Sequence, residues 1–181
     1  MRRAQEKWLA WRWSQGAPRP GVATLLALMD ERLKLMEDVA RHKWNSGGAI
    51  EDAPREREII AALGLRAAEG GVPPAWAEAF FRAQIEAAKS EQRRLFSLWR
   101  QDGAGRFENV PDLARRQRPR LDALTAPLLA ALADSWATLS APERQAEVRT
   151  AAAARLDAAA WGAAAALATA SLTDGSAARR P

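Results

Sequence analysis

The sequence predicts an all-α protein, a helical bundle of about five main helices in which the third helix is long. Alanine is abundant, tyrosine is absent, and valine, isoleucine and threonine are sparse. This composition favours helices because β-branched and aromatic residues prefer strands. Apolar residues also recur at alternating spacings of three and four, which places them on one face of a helix. A chain of 181 residues fits a single domain with a substantial core.

We expect that domain to occupy residues 21–172. It follows a basic, Trp-rich extension over residues 1–20 and precedes a disordered tail over residues 173–181. The extension contains no apolar run of the length of a secretory signal. An interfacial membrane anchor is one interpretation of this segment. A loosely packed extension is the interpretation that we adopt.

The first three helices are expected to form a core over residues 21–102. Their apolar periodicity predicts helices over about 21–44, over about 53–67, and from Pro73–Pro74 to about Arg100. The turn around Gly47 ends the first helix, and Asp52 with Pro54 marks the start of the second.

The remaining helices are expected within residues 111–172, after a Gly- and charge-rich loop over residues 101–110. The fourth helix has an apolar face that runs from Leu121 to Leu139. Pro127 lies inside it and is expected either to kink the helix or to delay its start. Ser140 and Glu143 have the spacing of a capping box, which predicts that a fifth, Ala-rich helix begins there and runs to about Leu172.

Two cations fall in the apolar seam of the first helix. Arg32 and Lys43 continue the spacing of three and four set by Val22, Leu25, Met29, Met36 and Val39. A buried cation is costly unless it is paired. Lys43 could reach water as a cation at a helix end, and Asp30, Glu31 or Glu37 could pair with Arg32. Because the two cations stack about 16 Å apart on one face, together they indicate a cation-lined pocket.

Two further polar side chains occupy apolar stripes. Arg55 shares a helix face with Ile59 and Leu63 in the second helix. In the third helix, Gln92 lies in a seam whose other members are Phe81, Ile85, Ala88, Leu95 and Trp99. A buried amide needs hydrogen-bond partners. It could be an interhelical contact that fixes the register, but its coincidence with the cations of the first helix favours a pocket.

These residues carry a resemblance to a known family. In their order and spacing, Arg32, Lys43, Asp52, Arg55 and Glu56, with Gln92 in the long third helix, are similar to the active-site signature of the all-helical chorismate mutases. The pair Lys43–Trp44 and the segment PDLARRQRPRLDAL over residues 111–124 resemble the exported gamma-type subclass in particular. The resemblance runs from about Val22 to Leu172.

The resemblance implies an isomerase of aromatic amino-acid biosynthesis (the shikimate pathway), which rearranges chorismate to prephenate without a cofactor or a metal. It implies that Arg32 and Arg55 bind substrate carboxylates and that Lys43 and Gln92 donate to the ether oxygen. Asp52 and Glu56 would receive the substrate hydroxyl and orient the cations. Ala88 departs from the family, which often has a hydroxyl residue there.

The resemblance also implies a third arginine in the segment after the third helix. Counting back from Leu121–Asp122 gives Arg118, whereas counting forward from Pro111–Asp112 gives Gln117. The one-residue difference favours Arg118 and leaves Arg116 and Arg120 as alternatives.

Partners and compartment are constrained only in part. The net charge of +5 is spread over the chain, so we expect a small anionic substrate, and neither nucleic acid nor a membrane, as the partner. The absence of cysteine excludes disulfides and thiol catalysis but does not settle the compartment. The resemblance implies a homodimer, periplasmic or secreted, with cytoplasmic as the alternative. A catalytically silent mutase-like protein or a basic helical binding module is the alternative function.

Overall fold

The computed structural model describes residues 21–156 and 161–173, and within these ranges all regular structure is helical. The predicted N-terminal extension and residues 174–181 of the predicted tail lie outside the described residues. The α-helices are α1 (Val22–Lys34), α2 (Met36–Ser46), α3 (Ala53–Ala68), α4 (Pro74–Gln101), α5 (Arg118–Leu139), α6 (Gln145–Arg155) and α7 (Ala163–Thr173). A π-helix over Leu113–Gln117 leads directly into α5, and a 3₁₀-helix over Pro142–Arg144 leads into α6.

The predicted first helix is divided at Leu35 and continues to Ser46. The Leu35 N–H bonds the Arg32 carbonyl at 3.3 Å, three residues back, so the chain tightens there for one turn. Leu35 is buried against Met36 and other apolar side chains of the core, which accounts for a local adjustment that periodicity does not reveal. As predicted, α2 ends at the turn containing Gly47, whose φ of 66° suits glycine.

The second and third predicted helices are confirmed as α3 and α4. Asp52 caps α3, since its Oδ1 accepts a hydrogen bond from the Arg55 N–H at 3.3 Å. The long helix α4 has 28 residues. Gly64 lets α3 and α4 approach closely, because a Cβ at that position would lie 2.7 Å from Glu78 Cγ.

The C-terminal half departs from the prediction at two points. Ser140 ends α5 instead of opening a capping box, and α6 begins only at Gln145, after the 3₁₀-helix. Pro142 explains the difference because its fixed φ suits the first turn of the short 3₁₀-helix. The predicted fifth helix is also divided into α6 and α7, and Gly162 just before α7 has a φ of 52°. Pro127 does not delay the fourth helix, since α5 begins at Arg118.

The C-terminal helices pack against the helices of the first half of the chain. The core contains large side chains from α1, α4 and α5, among them Leu25, Phe80 and Leu132, each fully buried. Gln84 of α4 donates from Nε2 to the Ala168 carbonyl of α7 at 2.8 Å. The polar contacts between α1 and the C-terminal part of the chain centre on one buried carboxylate, that of Asp30.

Asp30 of α1 is 5% exposed and binds three side chains. Its Oδ1 accepts from Trp161 Nε1 at 3.0 Å, and its Oδ2 binds Lys34 at 2.8 Å and Arg155 at 3.3 Å. Two of these partners come from the C-terminal part of the chain. The carboxylate therefore holds that part against α1, one turn or less from Arg32.

Candidate active site

Arg32 is the cation of α1 whose charge the fold leaves least compensated. Its Nε is buried and has no hydrogen-bond partner among the described residues. Burial lowers the pKa of Arg32, and the charge of Asp122 opposes that shift. Of the partners considered from sequence, Asp30 binds Lys34, and Glu37 binds Arg41 at 2.6 Å. These contacts leave Arg32 available to a bound anion.

Lys43 lies on α2 and points toward the loop that precedes α3. Its Nζ donates to the Ile50 carbonyl at 3.0 Å. Burial lowers the pKa of Lys43, as does the charge of Arg118, while Glu56 and Asp52 act in the opposite direction. The mutual electrostatic influence shows that the fold brings these four charged residues into one neighbourhood.

Gln92 lies on α4 and is 4% exposed. Its Nε2 donates to the Ala88 carbonyl at 3.1 Å and contacts Met36 Sδ of α2 at 3.6 Å. Its Oε1 is buried without a partner among the described residues. Among the described residues, the amide thus makes one interhelical hydrogen bond, to a thioether, which is a weak acceptor. Lys43 is seven residues after Met36, about two turns further along the same face.

The start of α3 supplies the carboxylate of Glu56 to the candidate site. Glu56 accepts the Asp52 N–H at Oε1, at 3.2 Å, and Lys89 Nζ of α4 at Oε2, at 2.9 Å.

The prediction that Arg55 lies in a buried apolar stripe is wrong, because Arg55 is exposed and Ile59 is 40% exposed. The buried positions of α3 begin with Ile60, so the apolar face is rotated from the one expected. Asp52 is also exposed.

Counting back from Leu121–Asp122 and counting forward from Pro111–Asp112 differ by one residue, and the π-helix between these points accounts for that difference. The Gln117 N–H bonds the Asp112 carbonyl at 3.3 Å, five residues back, so this turn holds more residues than an α-turn. Gln117 is fully buried and donates from Nε2 to Asp38 Oδ2 at 2.9 Å. Arg118 follows it, is exposed and acts electrostatically on Lys43. Arg116 and Arg120 are also exposed.

Lys89 was not predicted from sequence. It is 8% exposed and binds Glu56 as well as Glu86. The signal for it was its spacing, four residues after Ile85 and three before Gln92, which places it beside the seam. A lysine beside a seam is usually a solvated residue with a buried stem, so the pattern alone could not distinguish it.

An aromatic cluster supports the end of α2. Trp44 packs edge-on against Phe96 and Trp99, and its Nε1 donates to the Gly105 carbonyl at 3.0 Å. An open cavity of about 590 Å³ beside this cluster is lined by Asn45 and residues 106–110. None of the residues predicted for the site lines that cavity, so the polar cluster around Lys43 remains the candidate site.

Two negative findings apply to the described ranges, 21–156 and 161–173. No group of three or more His, Cys, Asp or Glu side chains there is arranged to hold a metal ion. Among the same residues, no helix combines the length and the apolar character that a membrane crossing requires.

Comparison with known proteins identifies the class of protein to which the helical fold and this polar cluster belong. The chain belongs to the chorismate mutase family, which a similar solved structure shows, and the family model of chorismate mutase type II matches residues 23–93. The structure is similar to the crystal structure of chorismate mutase from Burkholderia thailandensis, with a TM-score of 0.75 and 35% identity over 83% of this chain and 98% of that one.

Two secreted relatives are similar in sequence. The secreted chorismate mutase of Mycolicibacterium smegmatis is 34% identical over 121 residues, which are 65% of this chain and 66% of that protein. The secreted chorismate mutase of Mycobacterium tuberculosis is 32% identical over 131 residues, 71% of this chain and 65% of that protein. This chain therefore spans just under two thirds of the length of these relatives. The predicted fold class and family resemblance are confirmed.

Proposed function

We propose that this protein is a chorismate mutase, an isomerase that converts chorismate to prephenate. The observation that carries the proposal is the environment of Gln92, a buried amide on the long helix whose one interhelical hydrogen-bond partner among the described residues is a thioether. Gln92 contacts Met36 of α2, and Lys43 follows Met36 by seven residues on the same face of that helix. The side chains of Gln92 and Lys43 are suitable as the pair of donors to the substrate's ether oxygen.

The reaction makes modest chemical demands. Within one molecule, the ether C–O bond breaks while a new C–C bond forms, with no nucleophile, proton transfer or external electron source. The enzyme must hold the compact chair-like conformer and stabilise the negative charge that grows on the ether oxygen. Lys43 and Gln92 supply that stabilisation, the first as a cation and the second as a neutral donor.

Substrate carboxylates are bound by arginines. Arg32 presents a guanidinium whose Nε has no hydrogen-bond partner among the described residues. Arg55 and Arg118 are exposed near the starts of α3 and α5, and the charge of Arg118 acts on Lys43. Arginine binds carboxylates through two parallel, charge-assisted hydrogen bonds. Asp52 and Glu56 receive the substrate hydroxyl and orient the cations. Ala88 offers no side-chain hydrogen bond, and we expect the loss to weaken binding slightly.

Assembly and export form the finer part of the proposal. All seven proposed site residues belong to one chain, which is compatible with a homodimer whose two sites are independent. We also propose a periplasmic or secreted location, supported by the secreted relatives. Light scattering measures the molecular mass in solution. Mixing the inactive Arg32 and Gln92 variants should restore no activity if each site is built within one subunit.

The deciding experiment incubates the purified protein with chorismate. We expect the absorbance of chorismate to fall and prephenate to appear, as identified by its acid-catalysed conversion to phenylpyruvate. Arg32→Met, which keeps much of the apolar stem but removes the guanidinium, is the control and should lose at least a hundredfold in kcat/KM. A folded wild-type protein that leaves chorismate unchanged would contradict the proposal.

A further inference from the structure

Lys89 is a buried cation outside the set of residues with a proposed contact to substrate. Its Nζ binds Glu56 Oε2 at 2.9 Å and Glu86 Oε1 at 2.6 Å, and the residue is 8% exposed. Burial would lower the pKa of Lys89, but the hydrogen bonds to Glu86 and Glu56 raise it above the ordinary value. Lys89 therefore remains charged and has both carboxylates as its partners.

Glu56 lies between two lysines. One carboxylate oxygen accepts Lys89, the other accepts the Asp52 N–H, and Lys43 is near enough to act on it electrostatically. Without Lys89, the carboxylate would lose its strongest partner and could turn toward Lys43. A direct ion pair there would compete with the substrate for the Lys43 ammonium group.

We propose that Lys89 is a positioning residue, which holds the carboxylate of Glu56, a residue of α3, against α4 so that Lys43 stays available to the ether oxygen of chorismate. The inference rests on the proposed function. It assigns to Lys89 an effect on the rate of the chemical step, since Lys43 stabilises charge that develops only in the transition state. Substrate affinity depends mainly on the arginines and should change little.

The charged groups around Glu56 determine the pKa of its carboxyl group. They are Lys89 of α4, Lys43 of α2 and Asp52 at the start of α3, with Arg118 of α5 acting on Lys43. Burial raises the pKa of Glu56, but the hydrogen bonds from Lys89 and Asp52 and the two lysine charges bring it below its ordinary value. Loss of Lys89 should therefore free the carboxylate to pair with Lys43 and so raise the pKa of Lys43.

The test compares Lys89→Met with Lys89→Arg, and uses Glu86→Gln as the matched control. We expect Lys89→Met to lower kcat at least tenfold with KM within threefold of wild type, and Lys89→Arg to recover most of kcat. Glu86→Gln, which alters the half-exposed partner of Lys89, should remain near wild type. Lys89→Gln replaces the methionine variant if that variant does not fold.

Two further measurements separate this inference from the proposed function. Nitrogen-15 NMR of the lysine ammonium groups, without chorismate, should show a higher pKa for Lys43 in Lys89→Met, because the freed Glu56 carboxylate pairs with it. Adding Lys89→Met to Glu56→Gln should cost little more than Glu56→Gln alone, because Lys89 acts through Glu56. An unchanged Lys43 pKa, a loss confined to KM, or additive losses would overturn the positioning role. An inactive wild-type protein would contradict the proposed function and leave the NMR comparison to decide the contact.

Discussion

Gln117 of the π-helix donates a hydrogen bond from Nε2 to Asp38 Oδ2 of α2 at 2.9 Å. Gln117 is fully buried, so this contact fixes which residue of the basic segment turns inward. The next residue, Arg118, is left at the surface near Lys43. Among the three candidate arginines, Arg118 is the one whose charge acts on Lys43, so we keep it as the proposed third arginine of the site.

Arg118→Ala should reduce kcat/KM at least tenfold. It removes a charge-assisted contact with a substrate carboxylate, worth about 1.5–3 kcal/mol. Arg120→Ala is the matched control, since Arg120 is also exposed and lies two residues along the same helix, and it should remain near wild type. Steady-state kinetics with chorismate measure both. The reverse ranking would mean that the register chosen through the π-helix is wrong.

Gln92→Glu should make the activity depend on acid. A glutamine amide donates to the ether oxygen at every pH, whereas a glutamate donates only when protonated, with an unperturbed pKa of about 4.3. Above its pKa in the site, the carboxylate repels the charge that develops in the transition state. We therefore expect kcat/KM of the variant to be greatest in acid and to fall as pH rises. The profile is measured from pH 4 to 9, and an unchanged rate at neutral pH would remove Gln92 from its proposed role.

Lys43 should set an alkaline limit on activity. Because burial lowers the pKa of Lys43, its ammonium group loses its proton at a lower pH than an ordinary lysine does. Activity should thus be complete below that pKa and decline as pH rises through it. Lys43→Arg keeps its charge at all accessible pH values, so any residual activity of that variant should lack the decline. An identical alkaline decline in Lys43→Arg would assign the titration to another group.

Asp30→Ala should destabilise the fold without impairing catalysis by the folded molecules. The substitution removes a buried carboxylate with three partners and should cost about 2–4 kcal/mol. Urea unfolding measures the loss, and kcat of the folded fraction measures the site. Glu147→Ala serves as the control, because it removes an exposed ion pair with Arg144 and should leave the unfolding midpoint unchanged. Equal effects of the two substitutions would show that Asp30 does not secure the C-terminal helices.

The features predicted correctly are those that depend only on the spacing of residues along one helix. The seam of the first helix contained Arg32 and Lys43, and the structure places both where burial lowers their pKa. The long third helix placed Gln92 in a buried position, as observed. These features follow from a spacing of three and four, which a sequence displays directly.

Features that depend on neighbouring helices were missed or wrong. The turn at Leu35 arises from packing against residues far along the chain. The exposure of Ile59 depends on how α3 is rotated against α4, which the motif around Arg55 could not reveal. Ser140 and Glu143 matched a capping box in letters, but Pro142 directed the chain into a 3₁₀-helix first. The partners of Lys89 became visible only when α3 and α4 were in contact.

The contact between Met36 and Gln92 gives the proposed site an oxidisable sulfur although the chain has no cysteine. A thioether accepts the amide N–H weakly, so Gln92 can exchange this partner for a substrate oxygen at little cost. Conversion of Met36 to its sulfoxide would put a strong acceptor at the same place and retain the donor there. Met36 is only 2% exposed, so the packing that builds the core also shields this sulfur from peroxide.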